Sequence, residues 1–449
     1  MARKKTSWTC TNCSYKSPKW MGRCPECQAW DTLVEAKEAT PAARRSGAAP
    51  AEPVPLNEVD MHRGGEVRVR TGLGELDRPL GGGLVAGSLV LIGGDPGVGK
   101  STLLLMALDR FGQRGLPVLY VTGEESLRQV RLRADRLGVS GDSILLMADT
   151  DFDNIDRVTR QRRPRVVVVD SVQTVSIPEI QGIPGSVSQV REVAHRAMLL
   201  AKGTNTAIVL VGHVTKSGSL AGPKVLEHFV DTVLHFEGDG RSPLRILRSV
   251  KNRFGASGEL GLFEMVDDGL REVPDASARL LQERIDDAPG TAVVAALEGT
   301  RPILTEVQAL VGAPHPAQPA RTCVGVDRTR VQMLAAVLQK HGMSLHDRDL
   351  FVNAAGGVRL MEPAVDLGIL AAIASSYREE PLPTDTLVFG EVGLVGEIRA
   401  TSHPLPRLRE AARHGFRRVI APVRAVEDAP SGVKVVGVRT VREALDALC

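Results

Sequence analysis

The rhythm of apolar and polar positions divides the chain into stretches of different character. Between residues 63 and 270, short runs of β-branched and aliphatic residues alternate with amphipathic stretches of helical period. The runs at 88–92, 118–121, 166–169 and 207–211 are apolar nearly without interruption. Strands buried on both faces read this way, so they predict a parallel sheet covered by helices. Residues 230–236 and 244–250, separated by the Gly- and Asp-containing segment 238–242, predict a hairpin that closes the sheet. After a less patterned stretch near Asp275, strands are expected at 291–297 and 303–311, a helix at 331–340, and a last helix near 441–448. The fold class is therefore α/β, in two successive domains over 63–272 and 273–449. Ahead of them, residues 36–62 are rich in Ala and Pro without periodicity and read as a flexible linker. Residues 1–35 form a separate module rich in Cys and Trp.

Composition changes this picture little. With 449 residues, 43% hydrophobic and 24% charged, the chain has room for several cores, and its net charge of +3 is too small to argue for a nucleic-acid partner. The basic start lacks the apolar stretch of a secretory signal, and no apolar run reaches the roughly 18 residues of a membrane span. A cytoplasmic protein without membrane contact is expected.

Cysteine placement says more. Four of the six cysteines lie in the first 27 residues, as Cys10-x-x-Cys13 and Cys24-x-x-Cys27, while Cys323 and Cys449 stand alone. Two such knuckles have the spacing of a tetrahedral four-thiolate Zn²⁺ site, and so short a module needs the metal to fold.

Gly94-Asp95-Pro96-Gly97-Val98-Gly99-Lys100-Ser101-Thr102 matches G-x-x-x-x-G-K-S/T between a predicted strand and a predicted helix. Backbone N–H groups of such a loop curl around ATP phosphates at a helix N-terminus, Lys100 neutralises them, and Ser101 offers its hydroxyl to Mg²⁺. Asp170 ends an apolar strand and suits a second Mg²⁺ carboxylate. Glu124 and Glu125 follow the strand at 118–121. A carboxylate there can orient water and take its proton; Glu124 is the first candidate and Glu125 the reserve. His213, after the strand at 207–211, is placed to sense the γ-phosphate. Lys251 and Arg253 put two cations on what reads as one short turn, suited to the charge that develops in phosphoryl transfer.

Together these motifs resemble the bacterial RadA/Sms DNA repair family, over nearly the whole chain. The resemblance rests on the four-cysteine module, Leu76-Asp-Arg-Pro-Leu-Gly-Gly-Gly-Leu84, the phosphate loop, Thr122-Gly-Glu-Glu-Ser126, Val211-Gly-His-Val-Thr-Lys216, Ala221-Gly-Pro-Lys-Val-Leu-Glu-His228 and Lys251-Asn-Arg-Phe-Gly255. Thr122 stands where relatives often carry serine. The resemblance implies a RecA-like P-loop ATPase, a homo-oligomer in a hexameric ring. It also implies movement on single-stranded DNA and branch migration of recombination intermediates with the RecA recombinase. Lys251 and Arg253 would act at the subunit interface. Lys216 and Lys224, and the loop 177–188, become candidate contacts to single-stranded or branched DNA. A KaiC-like regulatory switch is the alternative, which the cysteine module and the 251–255 segment disfavour.

The second domain looks like the proteolytic domain of Lon peptidases, through Met361-Glu-Pro-Ala-Val-Asp-Leu-Gly368, Gly393-Leu-Val-Gly-Glu-Ile-Arg399, Leu408-Arg-Glu-Ala-Ala412 and Val419-Ile-Ala-Pro422. Lon uses a Ser–Lys dyad. Here Ala364 follows Pro363, and no lysine occurs between Lys340 and Lys434. Arg399 and Arg407 stand nearby, but a guanidinium stays protonated and cannot serve as a base. Peptidase activity is not expected.

Overall fold

The computed structural model describes residues 7–11, 15–36, 55, 68–141, 143–212, 226–238, 243–314 and 319–448. In the N-terminal module, β1 (Ser7–Cys10) pairs antiparallel with both β2 (Lys16–Ser17) and β3 (Leu33–Ala36). Its core is small: Cys10, Cys24 and Leu33 are buried, with Trp8, Tyr15, Met21 and Cys27 packed against them. Further on, β4 (Arg68–Val69) and β5 (Leu84–Val85) form a short antiparallel ribbon.

The ATPase-type domain is built on one sheet. Its strands are β6 (Leu89–Gly94), β7 (Val118–Thr122), β8 (Ile144–Ala148), β9 (Val166–Asp170), β10 (Ala207–Val211), β11 (Thr232–Glu237), β12 (Leu244–Asn252), β13 (Leu260–Val266) and β14 (Gly269–Glu272). Among the described residues their order is β14-β13-β12-β11-β6-β10-β9-β7-β8. The run from β11 to β8 is parallel, and β12 to β14 are antiparallel.

Alternate residues of the apolar runs serve two cores. Val90, Ile92, Val118, Tyr120, Val166, Val168 and Val209 face helix Lys100–Gln113, which presents Leu103, Leu104, Ala107, Leu108 and Phe111. Leu89, Leu91, Leu119, Val121, Val167, Val169 and Leu210 face helix Val187–Thr204, through Val190, Val193, Ala194, Ala197 and Leu200. Covering both faces is why these strands read as continuous apolar runs. Strands β8, β13 and β14 were not evident in the sequence. β8 is an edge strand whose five residues are all apolar yet only partly buried.

The C-terminal domain holds a mixed sheet of β15 (Thr291–Glu298), β16 (Arg301–Pro314), β17 (Arg321–Val324), β18 (Arg348–Ala354), β19 (Thr386–Val388), β22 (Arg418–Pro422) and β23 (Lys434–Val438), in the order β17-β18-β16-β15-β19-β22-β23. A small ribbon joins β20 (Glu391–Val392) and β21 (Ile398–Arg399). Helix Asp366–Arg378 is buried from Asp366 to Ser375 and packs its apolar residues into the main core of this domain. The stretch near Asp275, unpatterned in sequence, contains helix Ala276–Leu281, capped by the Asp275 carboxylate on the Ala278 N–H.

The two large domains meet through the β15–β16 turn. Arg301 pairs with Glu75 at 2.7 Å, both nearly out of solvent, and Glu75 also accepts from the Leu262 N–H. Arg248 pairs with Glu298 at 2.6 Å. Gly299 approaches so closely that a Cβ there would stand 2.2 Å from the Gly258 oxygen. Among the described residues no helix is long and apolar enough to cross a membrane.

Candidate nucleotide site and metal centre

Parallel strands deliver their C-terminal ends to one edge of a sheet, and with them whatever chemistry follows each strand. Here the register aligns Gly94 with Phe236, Ile92 with Val211, Val211 with Asp170, and Asp170 with Thr122. The phosphate loop, Asp170 and Glu124 therefore share one crevice.

Gly94, Gly97 and Gly99 all have positive φ, at 157°, 79° and 111°. Gly94 has a second reason to be glycine, because a Cβ there would lie 2.3 Å from the Phe236 oxygen. Val98 is buried, whereas Asp95, Pro96 and Gly97 are exposed. Lys100, Ser101 and Thr102 open helix Lys100–Gln113. The Lys100 ammonium is buried and donates to the carbonyls of Gly94 (2.8 Å) and Asp95 (2.9 Å). Burial lowers its pKa, and Asp170, Asp95 and Glu124 oppose that shift by their negative charge. The lysine is thus held by neutral carbonyls beside three carboxylates.

Asp170 accepts a hydrogen bond from the Tyr120 hydroxyl at 2.6 Å. Burial first, then Asp170, pushes the phenol pKa up, so Tyr120 stays a donor. Glu124 accepts from the Ser171 hydroxyl at 2.5 Å, directly beside Asp170. Glu125 turns away and forms an ion pair with Arg133, while its backbone is fixed by the Thr122 hydroxyl (2.9 and 3.0 Å). Gly123 must be glycine, since a Cβ would meet the Thr174 hydroxyl at 2.1 Å. Tyr120, Ser171 and Arg133 were missed in the sequence. Tyr120 had a signal: a phenol inside an apolar strand needs a buried partner.

One expectation is corrected. Lys251 and Arg253 do not share a turn: Lys251 lies within β12, and only Arg253 follows it. Lys251 donates to the carbonyls of Glu227 and Val230, and burial followed by Arg253 lowers its pKa. Arg253 lies 3.5 Å from Asp231, with its side chain 57% exposed. Both stand at the far end of the sheet from their own phosphate loop. Asn252 pairs with Thr232, which pairs with Val90, four residues before Gly94 and roughly 13 Å along the strand. The glycine-rich segment docks here: a Cβ on Gly81 would lie 3.2 Å from Gly255, and Arg68 donates to the Phe254 carbonyl at 2.9 Å.

His213, Lys216, Lys224 and Cys13 lie outside the described residues. The loop 177–188 is irregular up to helix Val187–Thr204 and is held by Gln189, which accepts from the Ile177 N–H at 2.9 Å.

In the N-terminal module the sulfurs of Cys10, Cys24 and Cys27 lie within 4.8 Å of one another, and those of Cys10 and Cys27 are 3.6 Å apart. Thiolates about 2.3 Å from a tetrahedral zinc would stand about 3.8 Å apart, so the donor set fits that ion.

In the C-terminal domain Ala364 is buried in the turn Pro363–Val365. Arg407 is fully buried and forms a two-pronged ion pair with Glu362 at 2.6 and 2.7 Å. Arg399, exposed at the end of the β20–β21 ribbon, pairs with Glu397.

Three family models match: one described as a rubredoxin metal binding domain over residues 8–35, an AAA domain over 71–219, and subunit ChlI of Mg-chelatase over 315–425. The DNA repair protein RadA of Pseudomonas aeruginosa is 50% identical over 100% of both chains. Those of Halalkalibacterium halodurans and Bacillus subtilis are 49% and 47% identical over 99% of both. The chain belongs to the RadA family of DNA repair proteins. Its architecture is a P-loop ATPase core with an N-terminal zinc ribbon and a C-terminal ChlI/Lon-like domain. A solved KaiC-like protein from Pyrococcus horikoshii aligns with 46% of this chain and 99% of its own at 21% identity, with a TM-score of 0.40.

Proposed function

We propose that this chain is a DNA-stimulated ATP-hydrolysing motor of the cytoplasm. It works as a ring of identical subunits, translocates on single-stranded DNA and drives branch migration of recombination intermediates with the RecA recombinase. Membership of a DNA repair family supports the DNA substrate, and the crevice supports the chemistry.

In this reading Lys100 exchanges its two carbonyl partners for ATP phosphates, and Glu124 orients the attacking water and accepts its proton. Ser101 and Asp170 would hold Mg²⁺, which supplies charge neutralisation on the phosphates. His213 relays the state of the γ-phosphate, and Lys216 and Lys224 contact DNA phosphates. Cys10, Cys13, Cys24 and Cys27 would hold Zn²⁺, which supplies the folding free energy of the module.

The observation that carries the ring is the position of Arg253. It is exposed, yet lies at the end of the sheet remote from its own phosphate loop, so the nucleotide it can serve is a neighbour's. Lys251, already bound to two carbonyls, anchors that corner.

The test is steady-state ATP hydrolysis with and without single-stranded DNA. Stimulation is expected; turnover indifferent to DNA, with and without RecA, would sink the motor and favour a regulatory switch. Arg253→Ala should bind nucleotide and lose turnover. Mixing it with Lys100→Ala subunits should restore part of the activity, and no rescue would refute action on a neighbour.

A further inference from the structure

The protein's three tryptophans all lie in the N-terminal module, at positions 8, 20 and 30, and they do not behave alike. Trp8 packs on the cysteine core with Tyr15 and Met21. Trp20 and Trp30 are 54% and 71% exposed, although so small a module has few apolar side chains to spare from its core. Their rings converge on one residue: a Cβ on Gly22 would lie 3.7 Å from Trp20 and 3.9 Å from Trp30. Arg23 bridges to Trp30 in a short antiparallel pair, and its guanidinium lies 5.7 Å from the centre of the Trp30 ring. Two hydrogen bonds to Gln28, at 2.8 and 2.9 Å, hold that guanidinium in place. Lys19 is exposed next to Trp20.

Charge points the same way. Residues 1–35 contain six Lys and Arg against three Asp and Glu, an excess equal to the +3 of the entire chain. The other residues are therefore balanced; within 7–35 Lys16, Lys19 and Arg23 are matched by Glu26, Asp31 and Glu35, so the surplus is Arg3, Lys4 and Lys5, just ahead of the module's described residues.

We infer that Trp20 and Trp30, flanked by Lys19 and Arg23, form a stacking site for the bases of single-stranded nucleic acid. Indole faces accept any base, and the neighbouring cations meet the phosphates, which gives binding without sequence preference. Lys19, Arg23 and Gln28 flank the two rings, with the single carboxylate of Asp31 beside Trp30. The ligand class follows from the DNA-acting function proposed above.

The position of the tryptophans supplies the test, because emission from the full-length protein reports on this module alone. Oligo(dT) should quench that emission, while anisotropy of a dye on the oligonucleotide follows total binding. An abasic deoxyribose-phosphate strand of equal length should not quench. Trp20→Ala with Trp30→Ala should weaken oligo(dT) binding by roughly tenfold or more, Trp→Phe should recover most of it, and the remaining Trp8 emission checks that the module is folded. Binding seen by anisotropy with unchanged emission would overturn the stacking site and leave the motor standing. Equal quenching by the abasic strand would reduce the surface to phosphate attraction and overturn it too. No binding by either readout would overturn both readings.

Discussion

Lys100 in the ATPase domain and Arg407 in the C-terminal domain are both buried cations beside a carboxylate, and they are held in opposite ways. Lys100 rests on two neutral carbonyls, with Asp170, Asp95 and Glu124 close enough to affect its charge but none forming an ion pair with it. Its partners can be exchanged, which is what a phosphate-binding site needs. Arg407 is closed on both prongs by Glu362, and one prong also donates to the Ala295 carbonyl at 2.5 Å. Glu362 stands two residues before Ala364, where a Lon peptidase has its serine. At this position the cation is structural: fully satisfied, permanently protonated and without a nucleophile beside it. The comparison shows that burying a charge marks function only where its partners can leave.

The strongest way to break the contrast is Lys100→Ala. Turnover should fall by roughly a hundredfold or more with secondary structure unchanged by circular dichroism, since the lysine serves the transition state and not the fold. Near-normal hydrolysis would remove the nucleotide site from this crevice. Arg407→Met should do the reverse, destabilising the C-terminal domain by about 2–3 kcal/mol in urea unfolding, because half-buried Glu362 loses both prongs of its cation and keeps only the Leu297 N–H. A loss below about 1 kcal/mol would mean that the pair is not structural. Within the crevice, Glu124→Gln should cut turnover by roughly a hundredfold, and Glu125→Gln by far less, because Glu125 is engaged by Arg133. Equal losses would erase the distinction drawn between them. The smallest effect belongs to Ala364→Ser, which should yield no peptide cleavage in a fluorogenic assay; measurable cleavage would show that a base other than lysine is available.

Much of the candidate nucleotide site was legible because its chemistry is local. The phosphate loop is a contiguous string whose glycines answer to backbone torsion, and Asp170 and Glu124 follow apolar strands that a parallel sheet must bring to one edge. Roles set by packing were not legible. That Glu124 and not Glu125 faces the crevice depends on Ser171 and Arg133, which approach from other elements. The separation of Lys251 from Arg253 followed from where β12 ends, a matter of pairing with β11 that the basic spacing did not reveal.

The sequence by itself determined the α/β class, the phosphate loop, the cysteine pairs and the loss of the Ser–Lys dyad, since each rests on local pattern or on the presence or absence of a side chain. Only the tertiary structure decided that Ser171 meets Glu124 while Arg133 meets Glu125, which end of the sheet carries Arg253, and that Arg407 is bound to Glu362. Those outcomes depend on contacts between residues far apart in the chain, and local pattern carries no record of which distant partner a side chain will meet.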